Sequence, residues 1–512
     1  MNSEVTSLPE LPEGWVWTRL GEVGDILAGY GFPKRLQGNT TGDLPFFKVA
    51  DISSASLRGD IFLRCAMNYI STQVCNEIRA TPLREGTVVF AKIGEAIKLN
   101  RRAILAQDSL VDNNVAGFLP SGGINNLFAF YFFLTLKLEE HSRATTVPSV
   151  RKTDLEYIYF PLPPFHEQYR IVAEIEELFT RLDAGVDALK KIKAQLKRYR
   201  QAVLRHAFEG KLTAEWRQAH KDELEPASLL LERIKLERQK NTKGKYKELP
   251  LLDISDLPEL PEGWVWSNFE ELKKAEKNAI KAGPFGSSLK KESYVPHGYK
   301  IYGQEQVIRQ NPSYGNYYIG EEKYVELRSC AVKPGDILIS LVGTIGRVLI
   351  LPEHSEAGII NPRLIKLSLE ERLVDNKYIK AYIESSAVRD FFTLASHGET
   401  MEILNLGILR TLPIPVPYPT EQHCIVEEIE RRFSVAEEIE KMVDYSLKQA
   451  ERLRQSILKK TFEGKLVSQD PNDEPAEKLL ERIKAERAKQ LAVTKARSKG
   501  KKKEYTKQTR LI

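Results

Sequence analysis

The stretch Leu8-Pro-Glu-Leu-Pro-Glu-Gly-Trp-Val-Trp17 recurs letter for letter at Leu257–Trp266, 249 residues further on. Ten identical residues that include two Trp, in a chain holding only five, do not recur by chance. An internal repeat sets the architecture before any local motif does, and a period this long means a duplicated domain plan and not a solenoid.

Working outward, Arg200-Gln-Ala-Val-Leu-Arg-His-Ala-Phe-Glu-Gly-Lys-Leu212 matches Arg454-Gln-Ser-Ile-Leu-Lys-Lys-Thr-Phe-Glu-Gly-Lys-Leu466 at a spacing of 254. Glu167-Gln168 and Glu421-Gln422 share that spacing, and each pair follows a Pro-rich stretch, Pro161–Pro164 or Pro413–Pro417. Glu225-Pro-Ala and Leu230–Lys235 match Glu474-Pro-Ala and Leu479–Lys484. The segments between, about Thr18–Phe160 and Ser267–Leu412, share a single echo: Gly86-Thr-Val-Val-Phe-Ala-Lys-Ile-Gly94 over Gly335-Asp-Ile-Leu-Ile-Ser-Leu-Val-Gly343. That pattern predicts a Gly-led turn, an alternating apolar strand and a Gly at a hairpin tip. The order is variable, repeated, variable, repeated, and the two variable parts read as one fold with different surfaces.

At 512 residues, 42% apolar and 29% charged, the chain reads as a globular protein of two to four domains, each with its own core. No apolar run approaches bilayer length, and the polar, acidic Met1–Glu13 is unlike a signal peptide, which points to the cytoplasm. Cys65, Cys75, Cys330 and Cys424 lack metal-type spacing and read as reduced thiols. The net charge of +6 is local. Residues 491–512 carry eight cations (Lys495, Arg497, Lys499, Lys501, Lys502, Lys503, Lys507, Arg510) against Glu504, a charge of +7 that leaves −1 for the remainder. Global charge therefore gives no argument for nucleic acid, and the tail is expected to be a solvated, disordered terminus.

Both repeated parts read as helical. A short helix is expected over His166–Leu182 and Glu421–Ala436, with Thr420 as N-cap, followed by a longer one ending at Gly210 and Gly464. Along the longer helix Leu182, Leu189, Ile192, Leu196, Tyr199 and Val203 step by three and four, and Ala436, Val443, Ser446, Ala450, Leu453 and Ile457 match them in the second copy. This seam predicts an intramolecular antiparallel coiled coil. A helix of ~27 residues would span about 40 Å, near the ~34–36 Å of one B-DNA turn, and would relate the variable domains by a pseudo-two-fold axis.

Catalytic signatures are missing. There is no Gly-x-x-x-x-Gly-Lys-Ser/Thr loop, and Asn311-Pro312 and Asn361-Pro362 are not followed as in an amino-methyltransferase. Ala28–Pro33 is only half a dinucleotide fingerprint, the eight His are scattered, and Asp473, Glu477 and Lys478 lie in the repeated helical tail. No catalytic, metal or cofactor site is expected in this chain.

Four motifs in order, each present twice, carry a resemblance: Leu-Pro-Glu-Gly-Trp, the Pro-rich exit into Glu-Gln-x-x-Ile-Val, Arg-Gln-Ala-Val-Leu…Phe-Glu-Gly-Lys-Leu, and Leu-Leu-Glu-Arg-Ile-Lys-x-Glu-Arg. The chain resembles the specificity (S) subunit of type I restriction–modification enzymes over nearly its whole length. The resemblance implies two target recognition domains of mixed α/β fold, each reading half of a bipartite, non-palindromic DNA site, with the helices fixing the spacing. It implies two methyltransferase (M) and two motor–nuclease (R) subunits as partners, which would hold S-adenosylmethionine, ATP and Mg²⁺. An S-like chain of a fused type IIB enzyme and a stand-alone two-domain DNA-binding regulator are the rival readings.

The expected layout is an N-terminal segment (1–17), recognition domain 1 (18–164), a central helical region (165–243), a linker with the second motif (244–266), recognition domain 2 (267–419), a C-terminal helical region (420–490) and the tail (491–512). Base reading needs edge donors and acceptors plus phosphate anchors. In domain 1 the candidates are Lys34, Arg35, Lys92, Lys98, Arg101, Arg102, Thr145 and Thr146. In domain 2 they are Ser287, Ser288, Lys290, Lys291, Arg347, Arg363 and Thr400. Trp15, Trp17, Trp264 and Trp266 are identical between copies that should read different sequences, so they are assigned to domain–helix packing or to the M-subunit contact.

Overall fold

The computed structural model describes residues 8–142, 147–241, 252, 254, 255, 257–342, 345–395, 406–490 and 492. The chain divides into unit 1, Met1–Leu189 with Tyr445–Ile512, and unit 2, Lys190–Asp444. Both are mixed α/β. In unit 1 a five-stranded sheet runs in the order Gly24–Ala28, Val115–Pro120, Val88–Ala91, Arg102–Leu105, Phe62–Leu63. In unit 2 a four-stranded sheet runs Ile280–Ala282, Leu364–Leu367, Ile337–Ser340, Val348–Ile350.

The register repeats strand by strand. Ile26 pairs with Phe118 and Val88 with Phe118 and Ile104 in unit 1; Ile280 pairs with Leu367 and Ile337 with Leu367 and Ile350 in unit 2. The parallel pairs Phe46–Leu110 and Ile301–Ile359 also correspond. The duplication therefore extends through the variable segments, far beyond the single echo visible in sequence. That echo does not alternate as expected: Val88–Ala91 and Ile337–Ser340 are buried at every residue. Each strand packs on both faces. Val88 and Phe90 meet the apolar helix Asn126–Thr135, whereas Val89 joins Ile52 and Ala55 of the helix Val49–Arg58. Two covered faces remove the polar-outward half of the pattern.

The repeated parts form two helices of 44 residues, Phe165–Phe208 and Pro419–Phe462. These replace the expected short and long pairs, because Gly185 sits in an exposed turn where it costs the helix only about 1 kcal/mol and breaks nothing. Pro419 opens the second helix at a position that needs no N–H, so Thr420 lies inside the first turn and is not the N-cap. Both helices stop as read: Gly210 and Gly464 take φ of 68° and 66°, conformations in which a Cβ is strained.

The helices pair antiparallel. In unit 1, Ile171, Val172 and Ile175 share a core with Ile457 and Leu458, and Arg454 binds Asp183. In unit 2, Val203 and Leu204 share a core with Ile425, Val426 and Ile429, while Lys193 meets Asp444 at 2.7 Å and Arg200 meets Glu440 at 2.8 Å. The seam is thinner than its heptads suggest. Leu196, Val203, Ala436, Val443 and Ile457 are buried, but Ile192, Tyr199 and Leu453 are exposed, since a two-helix pair covers only one side of each helix. In unit 1 an open groove of about 430 Å³ lies between Gly185 and Ala450.

Each unit closes on a helix from the repeat that follows a long helix. Ala476 donates to Gly14 O at 2.8 Å in unit 1, and Ala227 donates to Gly263 O at 3.0 Å in unit 2. The first decapeptide is thus tied to the C-terminal copy of the Glu-Pro-Ala motif, and the second decapeptide to the central copy. Trp15 and Trp264 are buried in the two cores, and the indoles of Trp17 and Trp266 donate to Pro9 O and Pro258 O at 3.0 and 3.2 Å.

The Glu-Gln pair at the head of each long helix is the clamp. Gln168 accepts from Asn125 N at 2.8 Å and donates to Gly123 O and Pro163 O; Gln422 accepts from Asp375 N at 2.8 Å and donates to Leu373 O and Pro417 O. Asn125 and Asp375 in turn cap the helices Asn126–Thr135 and Asn376–Ile383. Glu421, fully buried, accepts from Thr213, Arg217 and Trp264. Glu167 accepts from Gln469 at 3.3 Å on one oxygen, while its other oxygen and the Trp15 N–H find no hydrogen-bond partner among the described residues.

Candidate nucleic-acid interface

Along one edge of each unit, where the strands of the sheet end, three loops are laced together by backbone bonds, and the lacing is the same in both units. In unit 1, Gly29 N donates to Val115 O (3.2 Å), Asp112 N to Phe47 O (2.9 Å) and Lys92 N to Asn114 O (2.9 Å). In unit 2, Gly283 N donates to Leu364 O (2.9 Å), Asn361 N to Tyr302 O (2.8 Å) and Leu341 N to Arg363 O (3.0 Å). The turn itself is tightened identically, Asp112 Oδ1 accepting from Asn114 N at 2.7 Å and Asn361 Oδ1 from Arg363 N at 2.9 Å. Gly29 and Gly283 are required here by close approach: a Cβ would lie 1.9 Å from Asp112 O or 1.8 Å from Asn361 O. The edge is a fixed frame on which side chains vary.

Several candidates stand on or beside this frame. Lys34 and Arg35 are exposed on the turn Lys34–Leu36, anchored by buried Phe32, which stacks on Phe46 at 3.8 Å. Lys92 is half-buried on its own loop, which is bonded to the 148–150 segment through Gly94 N to Pro148 O and Val150 N to Lys92 O. Lys92, Arg151 and Lys152 line one groove of about 340 Å³. Arg363 is exposed on the central turn of unit 2; Arg347 is exposed at the end of the adjoining hairpin loop. Ser287 is exposed and Ser288 half-buried on the turn Gly286–Ser288, and Lys290 and Lys291 are exposed on either side of the next turn's start.

Other candidates stand apart. Lys98 is exposed but bonded to Glu95 at 2.8 Å, and Arg101 is half-buried. Arg102 is a correction: only 2% exposed, it cannot reach a nucleic acid. Its guanidinium lies 5.6 Å from the Phe90 ring and donates to Phe133 O, Leu136 O and Arg101 O, capping the C-terminal carbonyls of the helix Asn126–Thr135. Burial pulls its pKa down to about 9, against the opposing charge of Glu139. Thr145, Thr146 and Thr400 lie outside the described residues, as does the basic tail after residue 492.

Sequence reasoning missed Arg151, Lys152, Asn114 and Phe285. Phe285 is 87% exposed on the Gly283 loop, and Asn114 is the counterpart of Arg363. The 249-residue spacing, carried through the variable segments, would have found Asn114. Among the described residues no cluster of His, Cys, Asp and Glu is arranged to hold a metal, and no helix is long and apolar enough to cross a membrane. The four cysteines are unbridged.

Like frames carrying unlike side chains define a class: a duplicated α/β scaffold with one laced loop cluster per copy. The family model described as the type I restriction modification DNA specificity domain matches residues 12–198 and 263–448. The chain belongs to this family of specificity subunits. The EcoDI specificity subunit of Escherichia coli is 25% identical over 502 residues, covering 94% of this chain and 97% of that protein. The EcoKI specificity subunit of Escherichia coli is 23% identical, with 94% and 97% covered. Among solved structures, a chain from work on complex assembly and conformational transition of the type I R-M system aligns with a TM-score of 0.57 at 19% identity, covering 90% of this chain and all of that one. The HsdS subunit from Thermoanaerobacter tengcongensis aligns with a TM-score of 0.51 at 18% identity over 90% and 99%.

Proposed function

We propose that the chain is a sequence-specific DNA-binding subunit in which unit 1 reads one half of a bipartite site, unit 2 reads the other, and the paired helices set the gap. The observation that carries this is the laced loop edge, repeated bond by bond while its exposed side chains differ. A protein reading one palindromic site with two copies would keep those side chains alike; one reading two half-sites keeps the frame and changes the surface.

The chain itself is read as non-catalytic and cytoplasmic, holding no cofactor of its own. Two methyltransferase subunits would bring S-adenosylmethionine, and two motor–nuclease subunits ATP and Mg²⁺. The match to named type I specificity subunits along nearly their full length favours this reading over a type IIB-like chain or a stand-alone regulator. The test is copurification with a methyltransferase encoded nearby, followed by long-read mapping of methylated adenines in the host genome. A bipartite motif with a fixed gap is expected. A single contiguous or palindromic motif, or a chain that binds DNA alone and no methyltransferase, would contradict it.

A further inference from the structure

We propose that Asn114 and Arg363 are the matching base-reading positions of the two units, Asn114 taking an adenine and Arg363 a guanine. The inference rests on the DNA-reading function above and adds residues and base identities to it.

Most frame positions have no side chain free to read a base. Gly29 and Gly283 have no side chain to offer. Asp112 and Asn361 spend a side-chain oxygen on the turn. Val115 and Leu364 are buried, Phe47 is buried, and the Tyr302 hydroxyl is committed to Glu356 O at 2.7 Å. Lys92 is half-buried, but its counterpart Leu341 is 8% exposed and apolar, so that position does not read in both units. Asn114 and Arg363 remain. Each has both backbone groups engaged, its N–H by the turn and its C=O by the neighbouring loop. Each is exposed, and neither side chain has a hydrogen-bond or ion-pair partner among the described residues. A fixed backbone with a free side chain is the pre-organisation that base reading needs.

The two residue types then decide the role. A phosphate anchor at a shared frame position has no reason to differ between the copies, because the backbone of DNA is the same in both half-sites. Asn in one unit and Arg in the other instead match the two bidentate pairings of the major groove, Asn with adenine N6/N7 and Arg with guanine O6/N7.

The test uses the full chain with its methyltransferase subunits and reads the methylated motif by long-read sequencing for Arg363→Ala, Arg363→Lys and Asn114→Ala. Arg363→Ala should lose preference for one guanine in one half-site by roughly 5- to 150-fold, leaving the other half unchanged. Asn114→Ala should do the same for one adenine in the other half. Arg363→Lys, which keeps the charge and loses the fork, should lose the guanine preference as well. Unchanged preference at every position, or equal weakening on all sequences, overturns the proposal. For a variant that melts like wild type yet methylates nothing, selection from a random-sequence DNA pool reads the same base preference, and its loss or retention decides in the same way. A wild-type complex without a bipartite motif would instead overturn the functional reading.

Discussion

Units 1 and 2 share strand register, loop lacing, helix stops and the Gln168/Gln422 clamp, yet differ at one buried carboxylate. Glu421 has Thr213, Arg217 and Trp264 as donors. At the places of Thr213 and Arg217 the other copy has Val467 and Pro471, and Glu167 keeps only Gln469. Burial pushes the Glu167 carboxyl above its ordinary value, with Trp15 close enough to oppose the shift but outside hydrogen-bonding geometry. The two copies share a backbone frame, but only unit 2 satisfies the polar network around this carboxylate.

The largest test of that contrast is Glu421→Ala against Glu167→Ala. Removing Glu421 leaves Arg217 without its carboxylate in a buried site and should cost unit 2 about 3–5 kcal/mol, whereas Glu167→Ala should cost unit 1 clearly less, measured by chemical denaturation of the purified chain. Equal losses would erase the distinction between the copies. pH sharpens it. A carboxyl raised on folding favours the protonated form in the native state, so its contribution is fully present below the unfolded value of about 4.5 and is lost as pH rises through the folded value. Unit 1 should therefore lose stability over that rise, and Glu167→Gln should flatten the profile.

Arg102 comes next. Arg102→Leu should destabilise unit 1 by about 2–3 kcal/mol, since the carbonyls it caps lose a charged donor, while leaving the DNA motif unaltered. A changed motif would return Arg102 to the reading surface. Arg347→Ala or Arg101→Ala should weaken binding of one half-site by ~1–3 kcal/mol if that side chain reads a base; titration against half-site variants checks this, and unchanged affinity removes the residue. The smallest effect lies on the helix. Gly185 has nothing within 4 Å of an added Cβ, and Ile439 stands at its place in the second copy. Gly185→Ala should raise stability by up to ~1 kcal/mol, seen as a higher melting temperature.

Much of this was legible in the sequence, for physical reasons. Residues that must fit a partner copy of the scaffold cannot drift, so the decapeptides, the Glu-Gln pairs and Gly210/Gly464 announce the duplication and the helix ends. The echo around Gly86 and Gly335 announced one strand in each copy, but the others stayed hidden, because a strand buried on both faces keeps its register without keeping its letters: Val115-Ala-Gly-Phe118 and Leu364-Ile-Lys-Leu367 hold equivalent places and share none. Helix continuity past Gly185 was hidden because local propensity is a small term beside the packing of the flanking turns. Arg102 misled for a related reason. A cation beside a loop looks like a phosphate contact until the helix whose end it caps is in view. The reading positions were hardest of all, since a frame made of backbone bonds leaves no mark in the side chains it carries.

The most direct measurement replaces the recognition segment 267–412 with a second copy of 18–160, leaving both long helices intact, and maps the motif methylated with the partner subunits. If each unit reads its own half-site on a common frame, both halves of the motif become the half read by unit 1. Retention of the original unlike halves would contradict the account.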